Sequence, residues 1–257
     1  NAINLNGLDY QLLDVEYGHY TAGEVNKFIN KHGLDFKVQL IASHGHTTFH
    51  VPSKKMTAQL GDGASIAAAT GINVVSNLRA IDMALHGHGA PIVPIGEKLL
   101  LNDYDLFLNI GGIMNLSYRK PDEYIAYDVC PANRVMNMMA QKLGKDIDYN
   151  GDFARSGKLQ PELLNQLNAL EYYKMPYPKS LANDFGTDVI FPMAAKSDYS
   201  IQDGLRTFVE HMAEQLKASL VALLEGKGGK RRILVTGGGA HNTFLVERLT
   251  ALLQEID

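Results

Sequence analysis

The 257-residue chain is long enough for one large domain or two small ones, and its 46% hydrophobic content supplies a sizeable core. Its apolar runs are far too short to span a bilayer, and a net charge of −4 gives no general pull toward nucleic acid or anionic membrane. The single cysteine, Cys130, excludes an internal disulfide framework and suits a reducing compartment.

Residues 8–33 read as a helix, with Leu12, Leu13, Val15, Tyr17, Val25, Phe28 and Ile29 as buried candidates and His32-Gly33 as its stop. Val38 to Ala42 is strand-like and leads into Ser43-His44-Gly45-His46. Ala58 to Gly63 is a short apolar-polar piece, Ile66 to Thr70 a short helix ended at Gly71, and Ile72 to Ser76 a strand. Gly87 to Pro94 is rich in Gly and Pro and reads as a loop. A domain boundary is expected near Asp103, giving domains 1–103 and 104–257.

After the boundary come three β-type runs, Leu106 to Leu108, Ile113 to Tyr118 and Tyr124 to Asp128, with Gly111-Gly112 between the first two. The Gly pair reads as a tight hairpin, because Gly tolerates positive φ and leaves room for close approach to a ligand. Pro131 is expected to open a helix to Leu143, with Val135, Met138, Met139 and Leu143 on one face. A second helix is expected from Pro161 to Tyr173, then a loop from Tyr172 to Asp184. Ile201 to Glu225 reads as the longest helix, with Leu205, Phe208, Val209, Met212, Leu216, Leu220, Leu223 and Leu224 as its buried stripe and Gly226 as its end. The basic run Lys227 to Arg232 reads as a solvated loop. Arg232 to Val235 is a strand, followed by Gly237-Gly238-Gly239, and Asn242 is placed to cap a last helix that turns Leu245, Leu249, Leu252, Leu253 and Ile256 inward.

Several groups can carry chemistry. A Gly-rich turn between a buried strand and a helix N-terminus presents backbone N–H groups and the positive end of a dipole, as Ile233 to Asn242 does. Such a turn can also be only a tight connection. With Gly111-Gly112 as a second such turn, the two read as walls of one nucleotide cleft. Asp128 closes an apolar run, so it is either a helix cap near Pro131 or a general base, ionised at its ordinary pKa of about 3.9. His44, His46, His50, His86 and His88 cluster in sequence, and His-x-His pairs occur in zinc sites. No carboxylate recurs at ligand spacing, so contacts to a hydroxylated substrate or loop packing compete with metal binding, and no metal ligand is assigned. Asp62, Arg79 and Asp82 either complete a sugar-binding wall or make surface ion pairs, and Lys179 either meets a phosphate or is solvated.

The runs SHGHTTFHVP (43–52), TAQLGDG (57–63), NVVSNLRAIDMALHGHGAPIVP (73–94), LNIGGIMNLSY (108–118), YDVCPANRVMN (127–137), YNGDFARSGK (149–158), PKS (178–180) and TGGGAHN (236–242) resemble anhydro-N-acetylmuramic acid kinases, in that family's order. The resemblance implies an α/β fold of two ribonuclease-H-like, actin-like ATPase domains around a central nucleotide and substrate cleft. It puts the substrate side in 1–103 and the nucleotide side in 104–257. It implies Asp128 as the catalytic aspartate, and Gly111, Gly112, Asn115, Gly237, Gly238, Gly239 and Asn242 as nucleotide-binding residues. His44, His50, Arg79, Asp82 and Asn133 fall in segments that line the sugar side. The implied partners are ATP with Mg²⁺ and a small amino sugar in the cytoplasm, without nucleic acid or membrane, in a possible homodimer.

This chain departs from the family pattern in places. The family's Thr-Gly-Pro-Gly-Asn reads Val129-Cys130-Pro131-Ala132-Asn133 here, which narrows that turn, and its Gly-Gly-Gln-Gly reads His86-Gly87-His88-Gly89. The family's first phosphate loop and its C-terminal acidic segment are not in the sequence, so a natural protein longer at both ends is expected. The competing readings are another sugar or acyl kinase of this fold, a non-catalytic nucleotide-binding protein, and a zinc hydrolase built on the histidines.

Overall fold

A central strand, Leu106–Ile110, is apolar on both faces because it is covered on both. In the computed structural model, which describes residues 2–87, 89, 92–120, 123–181, 184–196, 198–224 and 229–254, this strand lies in the larger of two compact units, Asn1–Ile92 and Val93–Asp257. The division falls ahead of the expected boundary near Asp103. The reason is the helix Val93–Leu100, where a loop was expected through Pro94: Tyr124 Oη donates to its Glu97, and Arg119 donates to Asn102 Oδ1 at 2.7 Å, so both segments belong with the sheet. His88, Gly226, Lys227, Gly228 and Ile256 lie outside the described residues.

In the first unit, α1 (Gly7–His32) is capped by Asn6 and ends at Gly33 in the left-handed region, as the His32-Gly33 stop predicts. It runs 26 residues and is longer than the 24-residue helix Ile201–Leu224 that was expected to be longest. Of its expected buried positions Ile29 is covered, but the rest of the covered face differs. Gly18, Ala22 and Ile29 are covered, while Leu12, Val15 and Phe28 are exposed. Small residues decide this, because a Cβ at Gly18 would sit 2.8 Å from the carbonyl oxygen of Asp62, so only a bare backbone lets the two segments meet. The strands β1 (Leu40–Ala42) and β2 (His46–Val51) follow, then β3 (Met56–Leu60), α2 (Gly63–Thr70), β4 (Asn73–Val75) and α3 (Ala80–Ala84). β1 pairs with β4 in parallel, and β2 pairs with β3 antiparallel.

The second unit starts with α4 (Val93–Leu100) and carries the sheet β5 (Leu106–Ile110), β6 (Ile113–Arg119), β7 (Tyr124–Pro131) and β8 (Ile233–Thr236), in the order β7-β6-β5-β8. β5, β6 and β7 form an antiparallel meander, and β8 joins β5 in parallel, Asn109 opposite Thr236. Between β7 and β8 lie α5 (Asn133–Lys142), α6 (Asp152–Ser156), α7 (Pro161–Asn168), α8 (Glu171–Lys174), a π-helical turn (Phe185–Ile190), α9 (Phe191–Ala194) and α10 (Ile201–Leu224). The last helix is α11 (Thr243–Leu253). The protein is therefore α/β, as expected. Pro131 closes β7 instead of opening α5, since it pairs with Ile113. The helix expected over 161–173 breaks at Leu170, whose extended backbone separates α7 from α8. The predicted stripe of α10 is buried except for Leu224, which is partly covered, and packs with Val135 and Met139 of α5 and with the sheet residues Leu108, Leu116, Ile125, Tyr127 and Val129. Among the described residues no helix is long and apolar enough to cross a membrane.

His211 is fully buried on α10 and was not singled out in the sequence. Its Nδ1 donates to Asn168 Oδ1 at 2.6 Å, which also accepts from Gln215 Nε2 at 2.8 Å, and burial pulls its pKa from 6.5 down to about 3. The folded state thus resists the proton that the unfolded chain accepts. His211 stabilises fully above pH of about 6.5, and that stability drains as pH falls toward 3. Between pH 6.5 and 5 the loss is about 2 kcal/mol. Thermal unfolding should show a fall in Tm over that interval that is markedly smaller in His211→Gln.

Candidate active site

Two glycine turns meet at the carboxyl ends of the adjacent parallel strands β5 and β8. The first, Gly111-Gly112, joins β5 to β6. Neither glycine has positive φ, so the turn does not need Gly for the reason anticipated from the sequence. What the glycines leave is space: a Cβ at Gly112 would meet only the Cβ of Arg134, at 3.9 Å. The chain after β7 seals the turn from the other side. Ala132 N–H donates to Gly112 O at 2.9 Å and Asn133 N–H to Gly111 O at 3.0 Å, which starts α5 at the hairpin.

The second turn, Gly237 to Gly239, follows β8. Gly237 has φ +83°, and a Cβ there would lie 2.6 Å from both Asn109 Oδ1 and Ile110 O. A Cβ at Gly239 would lie 2.2 Å from Ile110 Cγ2, so these two glycines are required by close seating on β5. Gly238 is exposed and faces Asn133 Nδ2. Asn133 stands between the turns, its Nδ2 donating to Ile110 O at 2.9 Å. The structure thus places Asn133 among the glycine turns of the second unit, whereas the resemblance grouped it with the sugar-side segments. Asn242 caps α11 through Leu245 N–H at 3.0 Å, as expected, and is packed against Gly151 of the segment 149–153.

Asp128 lies in the third β6–β7 pair from the first turn. It is not the last residue of its strand, because β7 continues to Pro131. Nor does it cap α5, whose N-cap position is Ala132 and takes no side-chain bond. A register irregularity between Met114 and Asn115 sets Asp128 opposite Asn115, and bulges of this kind re-aim side chains. Asn115 Nδ2 donates to Asp128 Oδ1, and Leu181 N–H donates to Oδ2 at 2.7 Å. Asn115, assigned to phosphate binding by resemblance, here holds the carboxylate. Burial raises the Asp128 pKa, while the bonds from Leu181 and Asn115 oppose the rise. The result is a half-buried carboxylate with fixed orientation and heightened basicity, suited to accept a proton from a bound molecule.

Lys179 is only partly exposed. Its Nζ donates to Tyr172 O at 3.1 Å and lies 4.6 Å from the centroid of the Tyr172 ring. Tyr172 and Leu181 were missed by sequence reasoning, and only the PKS run beside them carried a signal.

In the first unit, His44, Arg79 and Asp82 come together. His44 Nδ1 donates to Gly45 O at 2.9 Å, and Nε2 accepts from Arg79 Nε at 2.9 Å. Arg79 also donates to Gly89 O at 2.8 Å, and Asp82 Oδ2 accepts from Gly89 N–H at 2.6 Å. These residues therefore grip the loop at Gly89. His50 is not part of the group: it is exposed on β2, beside Thr57. Asp62 caps α2 through Ser65 N–H at 2.7 Å, which explains it without a ligand.

Glycine turns at the carboxyl ends of neighbouring parallel strands, with an oriented carboxylate beside them, make the second unit an α/β frame of the kind that binds ligands at strand ends. Residues 6–257 match the sequence profile of the family described as anhydro-N-acetylmuramic acid kinase. The anhydro-N-acetylmuramic acid kinase of Aliivibrio fischeri is 40% identical over 220 residues, 82% of this chain and 59% of that protein. Those of Vibrio parahaemolyticus and Vibrio cholerae are 35% and 34% identical, over 95% and 94% of this chain and 68% and 67% of theirs. The chain belongs to the anhydro-N-acetylmuramic acid kinase family. It spans about three fifths to two thirds of the length of these relatives. A solved activator of a 2-hydroxyisocaproyl-CoA dehydratase from Clostridium difficile overlaps 77% of this chain and 76% of its own at 14% identity and a TM-score of 0.39, too slight to define a fold.

The two kinds of glycine separate by substitution. Gly239→Ala should cost about 1–3 kcal/mol in denaturant unfolding, because Ile110 must move. Gly112→Ala should stay within about 0.5 kcal/mol of the parent and, if the hairpin holds a nucleotide, weaken its binding in calorimetry.

Proposed function

We propose that the protein is an ATP-dependent kinase that converts 1,6-anhydro-N-acetylmuramic acid to N-acetylmuramic acid 6-phosphate, opening the anhydro ring with water, in cytoplasmic cell-wall recycling. The observation that carries the reading is Asp128: a buried-side carboxylate of raised pKa, oriented by Asn115 and Leu181, beside the glycine hairpin of a chain in this kinase family.

In this reading Asp128 takes a proton from a water as its oxygen bonds to the anomeric carbon. The bond from that carbon to O6 breaks, and O6 accepts the γ-phosphoryl group of ATP, leaving ADP. Gly112 and Gly238 leave bare backbone where phosphate oxygens can approach, and Asn133 keeps the two turns at fixed separation. Among the described residues no three His, Cys, Asp or Glu side chains gather as metal ligands. Mg²⁺ would neutralise phosphate charge when bound. In the first unit His44, Arg79 and Asp82, which meet at Gly89, are the candidate sugar contacts, with His50 as a further one. The partners are ATP and one amino sugar, with no nucleic acid or membrane involved, and a homodimer is compatible with this reading.

The test is incubation of the complete protein with ATP and the anhydro sugar, reading the product by mass. Gain of phosphate plus water is expected, and phosphate without water would refute ring opening. Asp128→Asn should fold normally and lose turnover, since an amide is no base; near-normal turnover would remove Asp128 from the mechanism. Asn115→Ala removes a bond that favours the charged carboxylate, so the acid limb of its pH–rate profile should move to higher pH.

A further inference from the structure

One ten-residue segment, 172–181, takes hold of Asp128 at every polar group except the oxygen bonded by Asn115. Tyr172 Oη donates to Asp128 O at 2.6 Å, Asp128 N–H donates to Lys179 O at 3.1 Å, and Leu181 N–H donates to Asp128 Oδ2 at 2.7 Å. The segment is also closed on itself, because Lys179 Nζ bonds Tyr172 O at 3.1 Å and sits over the Tyr172 ring. An ammonium desolvated against a carbonyl and an aromatic face is costly unless those contacts are kept, and burial here lowers the Lys179 pKa. Tyr172 is itself buried, and Phe185 packs 5.6 Å from it, ring to ring.

We infer that Tyr172 and Lys179 form a clamp that sets the carboxylate of Asp128, acting as positioning residues without themselves touching substrate. This rests on Asp128 being the base. The clamp works through the backbone: Tyr172 fixes the carbonyl of Asp128, Lys179 fixes the start of the turn, and Leu181 N–H is thereby delivered to Oδ2. The charged or titratable groups around the carboxylate are Lys179, Tyr172 and the Cys130 thiol, which burial holds in its neutral form.

The decisive variant is Tyr172→Phe in the complete protein, because it removes one neutral hydroxyl from a backbone carbonyl and changes no charge. Lys179→Met and Lys179→Arg accompany it. The Asp128 carboxyl is titrated by carbon-13 NMR, its signal assigned by its loss in Asp128→Asn. The clamp predicts a higher midpoint in Tyr172→Phe and Lys179→Met, as the Leu181 bond loosens, with recovery in Lys179→Arg. In turnover, kcat should fall about 10- to 100-fold with the KM for ATP unchanged. An unmoved midpoint in folded Tyr172→Phe overturns the clamp. So does Lys179→Met with raised KM for ATP and intact kcat, which would make Lys179 a ligand contact. If the parent protein transfers no phosphate, the kinase reading fails while the titration still decides the clamp.

Discussion

The crowding around Ile110 constrains most of the second unit. Its side chain leaves no room for a Cβ at Gly239, its carbonyl crowds Gly237, and the same carbonyl accepts from Asn133 Nδ2. Three elements distant in sequence are therefore drawn to the end of one buried strand: the hairpin after β5, the turn after β8 and the start of α5. Hydrogen bonds alone leave some play in such a junction. Steric contact at a buried β-branched residue does not, because packed interiors yield little. Gly237 and Gly239 of the second turn are thus fixed by the fold, whereas Gly238 and the two hairpin glycines have room for a Cβ.

Asp128 shows how strand geometry serves a carboxylate. Its N–H and C=O both point to the 172–181 segment, away from β6, so its partner across the ladder is reached by side chain alone. Opposed side chains approach most closely in pairs of that type, which lets a short residue such as Asn115 reach the carboxylate. Burial and hydrogen bonding then pull the proton affinity in opposite directions, and burial prevails. In the first unit the balance is different. His44, Arg79 and Asp82 spend their polar groups on one another and on the Gly89 loop, so that cluster shapes backbone.

Much of this was legible in the residues. The α10 stripe follows from 3.6-residue spacing because its whole apolar face is covered, and the Asn242 cap follows from side-chain chemistry confined to three residues. The glycine turns could be located, though not their reasons, since the neighbour that excludes a Cβ at Gly239 is Ile110, far away in sequence. The exposed Leu12 and Phe28 of α1 misled because hydrophobicity was weighed and smallness was not: Gly18 and Ala22 decide which face packs. Pro131 reads as a helix opener from its chemistry, and its pairing with Ile113 is a tertiary fact. Tyr172 and Leu181 act on Asp128 through an aromatic hydroxyl and a backbone amide, which carry no pattern along the chain.

β7 is the outermost strand on its side of the sheet, and outer strands offer unpaired amides and carbonyls on which another chain can template. At Asp128 both groups are already occupied, by Lys179 O and Tyr172 Oη. The segment that orients the carboxylate therefore also covers the strand edge at Asp128. Loosening it would uncover this stretch of strand edge along with the carboxylate, so cover of the edge at this position is tied to the geometry of Asp128.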